Sequence, residues 1–70
     1  MRFLVVVEEG PKSFGAYVPD LPGCVAAGES RGEVLTLIRE AIEFHLDGLR
    51  EDGSPIPPPS SAVRYVDIAA

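Results

Sequence analysis

Residues 19–30 read Pro19-Asp20-Leu21-Pro22-Gly23-Cys24-Val25-Ala26-Ala27-Gly28-Glu29-Ser30. They hold two prolines, two glycines and the only cysteine of the chain. The stretch is either an active-site loop with Cys24 as nucleophile or a connection that aims two strands and starts a helix. Pro19 and Pro22 cannot donate to a sheet ladder and so end a strand before them. Asp20 can accept from nearby backbone N–H groups in an Asx-type turn. Gly23 suits a positive φ. Cys24 to Ala27 form a short strand of small side chains, fit to lie under a helix, and Gly28 ends it. Ser30 suits a helix N-cap, and Glu33 three positions on completes a capping box.

The helix so started is expected to run to about Asp52. Val34, Ile38, Ala41, Ile42, His45 and Leu49 fall on one stripe, flanked by Leu35, Leu37 and Leu46. Thr36, Glu40, Glu43, Asp47 and Arg50 fall opposite. Gly53 is placed as a C′ residue with Pro55 behind it, a sharp stop. At 1.5 Å per residue such a helix is about 30 Å long. Gly32 and Gly48 each cost about 1 kcal/mol relative to Ala in a helix interior, less near its start.

Upstream, residues 2–8 read as a strand, with Phe3, Val5 and Val7 on one face and Leu4 and Val6 on the other. Gly10-Pro11-Lys12-Ser13 is a turn. Residues 14–18 form the second strand of a hairpin, with Phe14, Ala16 and Val18 sharing a face. Downstream, residues 54–59 are proline-rich and extended. Residues 62–68, around Val63, Tyr65 and Val66, read as a last strand that returns along the sheet. The expectation is an α+β domain of β-β-β-α-β order, an antiparallel meander with one helix on one face and a returning C-terminal strand.

A chain of 70 residues makes one domain, expected over 1–70. A domain this small buries little surface and needs a staple, a metal or a partner. One cysteine excludes an internal disulfide. Cys24 and His45 lack metal-ligand spacing, so neither metal nor cofactor is expected. Association with itself, as a dimer or tetramer, is the remaining device, and it would cover the sheet face that the helix leaves bare. The net charge of −5 argues against nucleic-acid binding and favours a basic partner. The apolar run Phe3 to Val7 is too short for a signal peptide or membrane span. A cytoplasmic protein with a reduced thiol is expected.

Three sets of residues are candidates for chemistry. Cys24 needs an activating base, and His45 sits mid-helix on or beside the apolar stripe without a motif around it. A small buried hydrophobe is the plainer reading of that cysteine. A metal-dependent nuclease needs clustered acids for its metal ions, yet Glu8 and Asp67 lie at strand ends and Glu40 and Glu43 face away from the stripe. Glu40, Glu43 and Asp47 make an acidic helix face, partly offset by Arg39 and Arg50. It is either a solvated face or a docking surface for a cationic partner.

Asp20-Leu21-Pro22-Gly23-Cys24, then Ala26 and Gly28, Ser30-x-x-Glu33, Arg39-Glu40-Ala41-Ile42 and Asp52-Gly53-x-x-Ile56-Pro57-x-Pro59 together resemble the HicB-like antitoxin family. The resemblance spans nearly the whole chain. It implies a truncated ribonuclease H-like domain that plugs a small basic ribonuclease toxin of the HicA type, whose catalytic residue is a histidine. It implies no enzyme. Under it, Asp20, Leu21, Pro22, Gly23, Cys24, Gly28, Ser30 and Glu33 are a fold signature, and Glu40, Glu43 and Asp47 are candidates for partner contact. Full-length members usually carry a C-terminal DNA-binding domain, whereas this sequence stops after the last strand, so direct operator binding is not expected. A stand-alone oligomeric module without a toxin, and a metal-dependent or thiol enzyme, are the alternatives.

Overall fold

The structure is a computed structural model that describes residues 1–69; Ala70, the end of the domain expected over 1–70, lies outside the described residues. Strands β1 (Val6–Glu9), β2 (Phe14–Tyr17) and β3 (Val25–Gly28) form an antiparallel sheet in the order β1-β2-β3. The rungs Val6↔Tyr17 and Tyr17↔Val25 set one register line, and Val7↔Ala16 and Ala16↔Ala26 set the next. Pairing through hairpin-type connections keeps β1 to β3 local in sequence. Helix α1 (Arg31–Glu51) crosses the sheet, mostly over β3 and β2.

The hydrophobic pattern selects which sheet face the helix covers. Ala16 and Val18 are buried, and Phe3, Val5, Val7, Phe14 and Ala26 pack against the same core. These are the alternate positions that a period of two places on one face. From the helix come Val34, Ile38 and Leu46, all buried, with Ala41, Ile42 and Leu49 packed beside them. Leu21, Val34 and Ile38 are the largest side chains shut off from solvent. Each stabilises the fold by about 1.5–3 kcal/mol relative to exposure.

Both ends of α1 are capped as the sequence predicts. Ser30 Oγ accepts from the Glu33 N–H at 3.1 Å. Glu33 returns its carboxylate to the N–H of Glu29 rather than Ser30, at 3.0 Å, so the box closes one residue early. Gly28 makes room for this cap: a Cβ there would lie 2.9 Å from Glu33 Oε1 and 3.2 Å from the Val34 nitrogen. At the other end Gly53 takes φ 71°. The Gly53 N–H donates to the Arg50 carbonyl at 3.1 Å and the Ser54 N–H to the Leu49 carbonyl at 2.9 Å, a Schellman motif.

Two expectations are corrected. The first strand begins at Val6, not near Arg2. Residues 2–5 run past the last rung, Val6↔Tyr17, because Pro19 stops β2 from extending alongside them. The returning strand over 62–68 is also not formed. Val63, Tyr65, Val66 and Ile68 are all exposed instead. Their backbone would need an edge to pair with. The tail lies beside residues 2–5, but an open cleft of about 590 Å³ lined by Arg2–Val5 and by residues 59 and 61–64 separates the two.

Candidate functional site

The turn between β2 and β3 is built from two successive β-turns. The Leu21 N–H donates to the Val18 carbonyl at 3.1 Å, and the Cys24 N–H to the Leu21 carbonyl at 3.0 Å. Pro19 and Pro22 stand at the second position of each, where a fixed φ is favourable. Gly23 has φ 83°, as the third position of a type II turn requires. Leu21, shared by both turns, is 0% exposed and plugs the end of the core. The Val18 N–H then donates to the Cys24 carbonyl at 3.2 Å, closing the turn against the ladder.

Asp20 does something the sequence reading did not foresee. Its carboxylate bonds to no neighbouring turn residue. It reaches across the chain to Ser60 and Ser61 instead. Oδ2 accepts their backbone N–H groups at 3.0 and 3.1 Å, and Oδ1 accepts their hydroxyls at 3.0 and 2.9 Å. The Ser61 and Ser60 N–H groups, ahead of the hydroxyls, lower its pKa from 3.8 to about 2. The carboxylate therefore clasps the proline-rich return onto the β2–β3 turn. A serine pair forty positions away gives no local signal, which is why sequence spacing missed it.

Cys24 is buried, and burial pushes its thiol pKa up. A nucleophilic cysteine needs the opposite shift. His45 is half-buried on the helix edge. Glu8 is exposed on β1 and Asp67 is exposed in the tail. Among the described residues no three His, Cys, Asp or Glu side chains are grouped to hold a metal ion. Among them, too, no helix is long and apolar enough to cross a membrane.

The acidic candidates lie on the exposed side of α1. Arg39 pairs with Glu43 at 3.5 Å and Arg50 with Asp47 at 3.2 Å, as the spacing predicts, while Glu40 has no ion pair among the described residues. These exposed pairs contribute little stability. Glu43 and Arg39 stand at the rim of an open apolar groove of about 390 Å³ between the N-terminal segment and the helix, lined by Met1, Phe3, Leu35 and Ile42. On the other flank of the acids stands Phe44, 83% exposed. The sequence reading omitted it, although its place off the apolar stripe was visible in the spacing. On the uncovered sheet face, Val6, Tyr17 and Val25 form a cross-strand row. Tyr17 and Val25 are exposed.

These features define a small α+β domain that offers open apolar and acidic surfaces. A family model of HicB-like antitoxins of bacterial toxin–antitoxin systems matches residues 3–69. The chain belongs to the HicB-like antitoxin family. An uncharacterised 14.9 kDa protein from the rep–hol intergenic region of Haemophilus phage HP1 is 31% identical over 67 residues, 96% of this chain but 50% of the phage protein. The chain thus spans half the length of that relative. A UPF0150 protein of Helicobacter pylori is 45% identical over 52 residues, covering 74% of this chain and 72% of its own. Among solved structures, a chain of a HicA3–HicB3 toxin–antitoxin complex superposes with TM-score 0.66 at 27% identity, over 83% of this chain and 72% of that one.

Proposed function

We propose that this chain neutralises a small HicA-type ribonuclease toxin by binding it and covering its active site, without catalysis of its own. The observation that carries this reading is the likeness of the fold to a chain of a HicA3–HicB3 complex, within a family of antitoxins. The acids Glu40, Glu43 and Asp47 support it, since an exposed acidic helix face suits a cationic partner. The buried, raised thiol of Cys24 supports a structural role for the one candidate nucleophile. We place the protein in the cytoplasm, where a ribonuclease toxin would act and a lone cysteine stays reduced.

We further propose that the chain associates with itself through the bare sheet face. Tyr17 and Val25 on that face and the tail residues Tyr65, Val66 and Ile68 are exposed apolar side chains that a second copy would cover.

Co-expression tests the antitoxin reading. A HicA-type toxin from the same genome is induced in a host cell with and without this chain. Growth arrest by the toxin alone, relieved by the chain, is the expected result. Arrest that persists at equal toxin level, with the chain folded and abundant, would overturn the reading.

A further inference from the structure

Phe44 is 83% exposed, more than any other large apolar side chain of the helix. Leu37, seven positions before it, is 37% exposed. Between and beyond them on the same ridge come Ala41 and Gly48, so the apolar positions 37, 41, 44 and 48 repeat at intervals of four, three and four. That repeat is the seam along which one helix packs against another surface. Gly48 has no internal reason to be glycine: a Cβ there would meet nothing within 4 Å. Its small size leaves a notch beside Phe44 at a position where helices disfavour glycine.

Charge decides what fits this ridge. Glu40, Asp47 and Glu51, seven and then four positions apart, run along one flank of Phe44. Among the described residues Glu40 and Glu51 make no ion pair, and Asp47 pairs only with Arg50. Glu51 and the cap residue Asp52 also stand at the C-terminal end of α1, where the helix dipole disfavours anions. A cationic surface would relieve that strain. A second copy, itself at net charge −5, would oppose acid to acid across the same seam.

We propose that the ridge of α1 centred on Phe44, with Leu37 beside it and Glu40, Asp47 and Glu51 as its rim, is the face that docks a basic protein partner. The inference rests on the antitoxin reading, and the partner is then the HicA-type toxin. Phe44 is the apolar anchor, Ala41 and Gly48 admit a close approach, and the acids steer the encounter. This is the anatomy of an interface core with one aromatic hot spot and a charged rim.

The test measures affinity by calorimetry between the full chain and a HicA-type toxin from the same genome, inactivated at its catalytic histidine. Phe44→Ala leaves an exposed helix position filled by a good helix former, and circular dichroism checks the fold. A weakening of at least about tenfold is expected for an aromatic hot spot. Glu40→Lys with Glu51→Lys should weaken binding and flatten its salt dependence. Unchanged affinity in both variants would overturn the inference while leaving the antitoxin reading standing. Loss of self-association in Phe44→Ala at unchanged toxin affinity would overturn it too and assign the ridge to a second copy. Failure of the unaltered chain to bind the toxin would instead sink the antitoxin reading itself.

Discussion

Leu21 and Cys24 show how much two adjacent turns decide at the level of single residues. The turns at Val18–Leu21 and Leu21–Cys24 reverse the chain so tightly that Leu21 points wholly inward and Cys24 sits under the helix. Cys24 then behaves as a small hydrophobe, and its thiolate is disfavoured by burial. In the native protein Cys24 should react with iodoacetamide at least about tenfold more slowly than in denaturant, because attack needs an exposed thiolate. Rates followed by mass spectrometry check this. Native and denatured rates that coincide would return Cys24 to the list of reactive groups.

Helix α1 is the element that gives the protein its two faces. Its inner stripe of Val34, Ile38 and Leu46 closes the core, and its ends are sealed by the Ser30 cap and the Gly53 Schellman turn. With both ends fixed, the helix tolerates a glycine in its last turns. Gly48→Ala should raise stability by about 0.5–1 kcal/mol, since the new methyl meets open space and helix propensity improves. For a domain of this size that is a rise in Tm of roughly 2–8 °C. Thermal unfolding measures it. A lowered Tm would mean that Gly48 has a packing role within the fold after all.

The clasp between Asp20 and the Ser60–Ser61 pair ties the proline-rich return to the β2–β3 turn. It fixes where the tail leaves the body, across the open cleft from residues 2–5. The carboxylate has its ordinary pKa of 3.8 when unfolded and about 2 when folded. Between those values the unfolded chain binds the extra proton, so stability falls as pH falls. The clasp therefore contributes fully above about pH 4 and is lost as pH drops towards about 2. Urea unfolding across this window should show a shallower decline for Asp20→Asn than for the unaltered chain. Parallel declines would show that the clasp does not hold the tail in solution.

The residues themselves determined every element whose contacts are local. Pro22-Gly23 dictates its turn through a fixed φ and a positive one. The Ser30-x-x-Glu33 box and Gly53 mark where the helix starts and stops. Alternation along Phe14, Ala16 and Val18 selects the buried sheet face. In each case cause and effect lie within a few positions, so a one-dimensional reading suffices. The tertiary structure decided what depends on distant pairs. Asp20 finds Ser60 and Ser61, residues 2–5 lose their rung because β2 stops early, and the tail over 62–68 stays unpaired despite its strand-like composition. Phe44 belongs to this second group as well. The spacing put it off the core stripe, but only the packed fold shows that nothing else among the described residues covers it. A strand needs a neighbour to bond to and an exposed side chain needs the absence of one, and neither can be read from the segment alone.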